Sequence, residues 1–174
     1  MLVKLGTQIK SVDDPVELLL ECHGRIRDFT AQLGRLAQAA SAPPAQIQDA
    51  AARIGRYFTV GLAHHVEDEE QAVRPLLRGR SAELDAALAR MCDEHESHHP
   101  AVERAVALCR RLEWEPGALA GLSQELGAVS EKLSAEFEAH LREEEEVVFP
   151  ALRALLGPDE LSKLRQEIRG RRAR

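Results

Sequence analysis

Seven histidines stand in the chain of 174 residues. Five of them fall, with two glutamates, into a spacing that suits a metal centre: His23, His65 with Glu69, His95 with His99, and His140 with Glu144. Neutral imidazole and carboxylate both bind divalent and trivalent transition metals. An i, i+4 pair turns only about 40° around a helix, so its two side chains face one way. On helices, each of the three pairs therefore offers two donors to one side. His98 is the alternative to His99, and Glu145 the alternative to Glu144. A lone histidine on an apolar face is ordinarily a hydrogen-bonded core residue. Seven polar groups sharing one core are a different matter. Each one left unpaired costs roughly 1–3 kcal/mol, and a bare carboxylate more, so the set calls for a compensating cation.

An internal repeat sharpens this reading. His65-Val-Glu-Asp-Glu69-Glu70 and, further on, Val73 and Pro75 match His140, Glu144, Glu145, Val148 and Pro150 at a constant offset of 75 residues. Proline disrupts the turn before it, which accounts for two similar helix ends. It does not account for a histidine ten residues ahead of both.

The elements that must carry these groups are helices. Ala (26), Leu (24), Glu (21) and the 23 Lys and Arg make up 94 of the 174 residues, the composition of long helices. Strand-favouring residues are scarce. Asp14-Pro15-Val16-Glu17 reads as a helix start, with Asp14 as cap and Glu17 at the reciprocal position. That helix is predicted to run to about Ala40. Ser41-Ala42-Pro43-Pro44 is a turn, and a second helix follows from Ala45 to Leu77. Ser81 caps a third, ending near Leu112, and Glu115-Pro116-Gly117 breaks the chain again. A fourth runs from Ala118 to Leu156, and Asp159 caps a short basic helix to about Arg169. Short connections between long helices give an all-α, up-down-up-down four-helix bundle.

Each apolar stripe has a gap, and each gap holds a histidine. His23 lies between Leu19 and Ile26, His65 and Glu69 between Leu62 and Val73. His95 with His98 or His99 lies between Met91 and Val102, and His140 with Glu144 between Phe137 and Val148. In such a bundle the four gaps fall within roughly 10 Å of one level. The chain divides into an arm (1–12), the bundle (13–156) and a short C-terminal helix with a basic tail (157–174). That extension has three readings: docking on the bundle, pairing two chains as a homodimer, or staying free.

The formal charge of −6 argues against nucleic acid as a partner, and Arg169–Arg174 is too short a basic run to reverse that. No apolar run approaches the ~20 residues of a membrane span, and the start lacks a signal-peptide core. Cys22, Cys92 and Cys109, odd in number and without a CxxC pair, suit a reducing cytoplasm.

In this order, on four helices, the motifs resemble the hemerythrin family in its bacterial HHE cation-binding branch, from roughly Asp13 to Leu156. The carrying pieces are His23 within the stretch Asp14–Phe29, His65-Val-Glu-Asp-Glu69, His95-Glu-Ser-His-His99 and His140-Leu-Arg-Glu-Glu144. The resemblance implies a non-haem di-iron centre. Glu69 and Glu144 would bridge two irons joined by an oxo or hydroxo group. His95, His99 and His140 would complete one iron, and His23 and His65 the other. The open position would take O2, or NO, for sensing, storage or delivery. Two departures stand out. The family's oxygen carriers end with His and Asp at i+5, whereas here both i+4 and i+5 are Glu. Glu145 turns about 140° from His140, toward solvent, which favours Glu144. Pro100 disfavours regular helix at His99, so His98 could substitute or the fifth histidine could be missing. The alternative implied by the family is an enzyme of NO or peroxide detoxification or of iron–sulfur centre repair, or an iron buffer. Met1–Val12 holds no cysteine, unlike the repair proteins, and no inward acid or base is left once the ligands are assigned.

Overall fold

The computed structural model describes residues 14–173, so the expected arm 1–12 lies outside the described residues. Five helices fill that span. Helix α1 covers Pro15–Ala37 and opens as its sequence predicts, with Asp14 Oδ1 accepting the Val16 N–H at 2.9 Å. Helix α2 runs over 44–77, α3 over Ala82–Trp114, α4 over 119–155 and α5 over Pro158–Arg172. Ser81 caps α3 by accepting the Leu84 N–H at 3.1 Å. In the turn before it, Gly79 takes a φ of 79°, open to glycine without strain, and donates its N–H to Asp85 Oδ1. The connections are short, and each long helix packs on the next, with α4 closing the ring on α1. This is the all-α bundle expected from the sequence.

Three prolines were predicted to disturb helices, and the structure keeps all three inside helices that continue past them. Pro100 lies inside α3, which continues to Trp114. The carbonyl its missing N–H leaves free belongs to Glu96, an exposed residue on the solvent side of the helix. Pro75 and Pro150 each follow a π turn, Glu69–Val73 in α2 and Glu144–Val148 in α4. There the Arg74 and Phe149 N–H groups reach back five residues to the carbonyls of Glu69 and Glu144. One extra residue ahead of a proline relieves the crowding between its ring and the carbonyl four back. Wide turns of this kind gather at functional sites.

The apolar interior is split in two. An upper core includes Ile26, Leu33, Ile54, Phe58, Leu62, Ala105, Leu126 and Phe137. A lower core includes Val16, Leu19, Val73, Leu77, Met91, Val148 and Leu152. The gaps in the four stripes lie between them, as one polar layer across the bundle. Helix α5 docks on the lower core through Leu164 and Ile168, the first of the three readings of the extension. Its last turn reaches the polar layer: Arg171 Nη1 lies 2.7 Å from Oδ1 of the fully buried Asp68. Arg172 Nη2 lies 2.9 Å from Cys22 Sγ and 3.5 Å from the Leu18 carbonyl.

Candidate metal centre

Six side chains meet in the polar layer. His23, His65, Glu69 and Glu144 form one group of donors, and Glu69, His95, His140 and Glu144 a second. Within each group the donor atoms lie within 4.8 Å of one another. The two groups share both carboxylates, and each carboxylate turns one oxygen to each group. Glu69 Oε1 lies 3.3 Å from His65 Nε2 and 3.7 Å from His23 Nε2, while its Oε2 lies 3.2 Å from His95 Nε2. Glu144 Oε2 lies 3.1 Å from His23 Nε2, and its Oε1 3.3 Å from His140 Nε2. Both carboxylates are about fully buried.

The backs of three rings are held by carboxylates from neighbouring helices. Glu145 Oε1 bonds His23 Nδ1 at 2.8 Å, Glu70 Oε1 bonds His95 Nδ1 at 2.9 Å, and Glu94 Oε2 bonds His140 Nδ1 at 2.8 Å. Such contacts fix the ring and turn its free nitrogen inward, the arrangement that orients metal-bound histidines. Arg27 shares Glu145 Oε1 at 2.9 Å and so anchors the orienting carboxylate in turn. Sequence reasoning missed all three glutamates. The signal for two was present, since Glu70 and Glu145 are equivalent in the 75-residue repeat and each follows an inward glutamate. Glu145, expected toward solvent, is only half-buried, yet it reaches His23.

The inward atoms have no hydrogen-bond partners of their own. His23 Nε2, both nitrogens of His65, His95 Nε2 and all four oxygens of Glu69 and Glu144 are buried and unsatisfied. Their proton affinities show the same crowding. Burial alone would push His23 down, but Glu144 and Glu69 raise it to about 10. His95 rises to about 9 against burial because of Glu69 and Glu70. Burial holds His65 near 4 and pushes His140 down as well. Glu144 is raised by burial and by the charge of Glu69. Burial also acts to raise Glu69, but His65, His23 and His95 outweigh it and hold its carboxyl well below the usual range. Two like charges this close drive their affinities apart.

The structure brings together six of the seven expected site residues and leaves out one. His99 points outward, 69% exposed, with Nδ1 3.6 Å from Glu103. The expectation that it faces inward with His95 is corrected: the buried seam of α3 advances by sevens through Leu84, Met91, His98, Ala105 and Leu112, and His99 stands one residue past it. His98 takes the inward place, its ring 5.3 Å from that of His140 and 5.2 Å from Phe137. It is in neither donor group. His64, expected at the rim, is half-buried beside Glu67.

A helical bundle that crosses its own core with a layer of buried, unpaired carboxylates and imidazoles is a cation-binding protein. The family model for the hemerythrin HHE cation-binding domain matches residues 14–152. The chain belongs to this family. Comparison with curated proteins and comparison with solved structures each return no match. The donors fit the metal the family implies: the orphaned atoms converge, are a mixture of imidazole and carboxylate, and have carboxylates at their rear. No helix among the described residues is long and apolar enough to cross a membrane.

Proposed function

We propose that the chain is a non-haem di-iron protein that binds O2 or NO for sensing, storage or delivery. One observation carries this reading: two donor groups, each of two histidines, share Glu69 and Glu144, each of which turns one oxygen to either group. A single tetrahedral zinc needs four donors and no shared pair. Two ions side by side use all six residues, as in the carboxylate-bridged bundles. His23 and His65 would hold one ion, His95 and His140 the other, with both glutamates between. When bound, the irons would supply reversible electron transfer to a small ligand. The chain's own residues do the rest. Glu145, Glu70 and Glu94 hold their rings with Nε2 inward. Neither group has a third imidazole, so each ion keeps room for an outside ligand.

That equality also favours a second reading, turnover of peroxide or NO, since both ions would be accessible to one substrate. Anaerobic reduction followed by oxygen and NO titration, with absorption and iron both measured, tests the proposal. About two irons per chain and a spectral change that reverses when O2 is removed are expected. Rapid irreversible oxidation, or consumption of added peroxide or NO over many cycles, would replace binding by catalysis. Iron below about one per chain would overturn the paired centre itself.

A further inference from the structure

A cavity of about 700 Å³ lies between α2 and α3. The two helices touch over 44–56 but part over 62–68. The residues facing each other there are small: Thr59 and Ala63 on α2, Ala107 on α3. The walls are aliphatic or aromatic, with Ile26, Phe58, Leu62, Val66, Val102 and Phe137, and the deep end is formed by histidine rings of the polar layer and by His98. This is far more room than a diatomic ligand fills, and it falls in the size range of pockets that enclose small organic molecules.

The opposite side of the bundle shows what closes such a space. There, between α1 and α4, the equivalent opening is only about 240 Å³. The 75-residue offset sets Glu138 where α2 has Ala63, and a 72-residue offset between His23 and His95 sets Arg27 where α3 has His99. Arg27 Nε lies 2.9 Å from Glu138 Oε2, so an ion pair bolts that gap shut. On the α2–α3 side no such pair can form, and His99 turns to Glu103 instead.

We propose that the α2–α3 cavity binds an unbranched aliphatic carboxylate, its tail inside against the walls and its head at Arg110. The charges at the mouth select the head group. Glu67 and Glu103 also line the cavity, with His64 and His99 only within 3.7 and 3.6 Å of them, and Glu103 stands seven residues, about 10 Å along α3, from Arg110. Arg110 lines the mouth and has no ion-pair partner among the described residues. It lies twelve residues from His98 along α3, or about 18 Å, the length of an extended acyl chain of roughly a dozen carbons. Apolar walls with one cation at the rim suit an amphiphile that enters tail first. Binding needs no metal, and so stands apart from the reading of the polar layer.

Titration calorimetry of the full chain with octanoate, decanoate and dodecanoate tests this. One molecule per chain is expected, with affinity rising about fourfold per added methylene. The double variant Ala63→Glu/His99→Arg transplants the opposite bolt onto two exposed positions and is expected to abolish saturable binding. Ala107→Phe fills the mouth from α3 and is expected to do the same, with helix content by circular dichroism confirming both folds. Arg110→Gln should weaken dodecanoate about threefold and leave dodecanol unchanged. No saturable binding by the unaltered chain, affinity indifferent to chain length, or undiminished binding in both blocked variants would overturn the proposal. Equal effects of Arg110→Gln on acid and alcohol would overturn the assignment of the head group.

Discussion

The two halves of the polar layer can be laid over one another residue by residue. His23 on α1 answers to His95 on α3, and each is raised in proton affinity against burial, His23 by Glu144 and Glu69 and His95 by Glu69 and Glu70. His65 on α2 answers to His140 on α4, and each is lowered by burial. Glu145 holds His23 as Glu70 holds His95. The match fails at one place. His140 Nδ1 has Glu94 behind it, whereas the residue equivalent to Glu94 is Cys22, and His65 Nδ1 has no partner. Cys22 is instead beside Arg172, which α5 brings in. Groups that face inward are thus duplicated, because two neighbouring cations make the same demand. Groups behind them differ, because on one side the C-terminal helix occupies the space.

The strongest challenge to this equivalence is removal of the shared oxygens. Glu69→Ala and Glu144→Ala each take a donor from both halves, and iron should fall from about two per chain to well under one. His65→Ala and His140→Ala each touch one half and should leave about one. His64→Ala and His99→Ala should leave the iron content unchanged. Elemental analysis of the purified variants decides, and unequal losses from the two glutamates would break the symmetry.

Protons provide the next comparison. In the metal-free protein, His23 and His95 hold protons at neutral pH, with values of about 10 and 9. Both lie above the ordinary value, so the stability they contribute is greatest at low pH and is lost as pH rises through 9 to 10. Binding of Zn(II) or anaerobic Fe(II) near pH 7 should therefore expel about two protons per chain, read with an indicator dye in weak buffer. Thermal melts should show an alkaline decline in the metal-free protein that the loaded protein lacks.

A smaller effect separates the backs of the rings. Glu145→Gln, Glu70→Gln and Glu94→Gln should each weaken metal binding by about 10- to 100-fold. Since His65 already lacks such a support, the His23–His65 position should be the first to yield its ion to a chelator. Two-phase release, with Glu94→Gln bringing the phases together, would confirm the difference between the halves. The least effect is expected from the bolt between α1 and α4. Glu138→Ala removes an exposed ion pair while leaving Arg27 on Glu145, and should lower stability in urea by less than about 1 kcal/mol.

Much of this was legible in the residues. The breakers Pro43-Pro44, Ser81 and Pro116-Gly117 delimit the helices to within a few residues, because turn chemistry is local. The inward choice of Glu144 over Glu145 follows from the angle to His140 alone. His99 was misread because i, i+4 from His95 and i, i+3 from His95 both keep a side chain near one face. Only the seven-residue advance from Met91 to Ala105 separates them, and it selects His98. The π turns were not legible, since a wide turn depends on what the flanking helices demand of Glu69 and Glu144. The docking of α5 depends on Arg171 and Arg172 finding Asp68, a contact between residues over a hundred positions apart, which no local pattern encodes.

The wide turns at Glu69–Val73 and Glu144–Val148 set the phase of everything after them. Each is one residue longer than an α turn of the same rise. Winding the same residues as regular α-helix would carry Leu77 about a quarter turn away from the lower core, whereas deleting one residue there, Gln71 for instance, would remove the surplus and leave its direction unchanged. The surplus residue therefore acts as a joint in the rod. It lets one helix present donors above and aliphatic side chains below, each set aimed independently of the other.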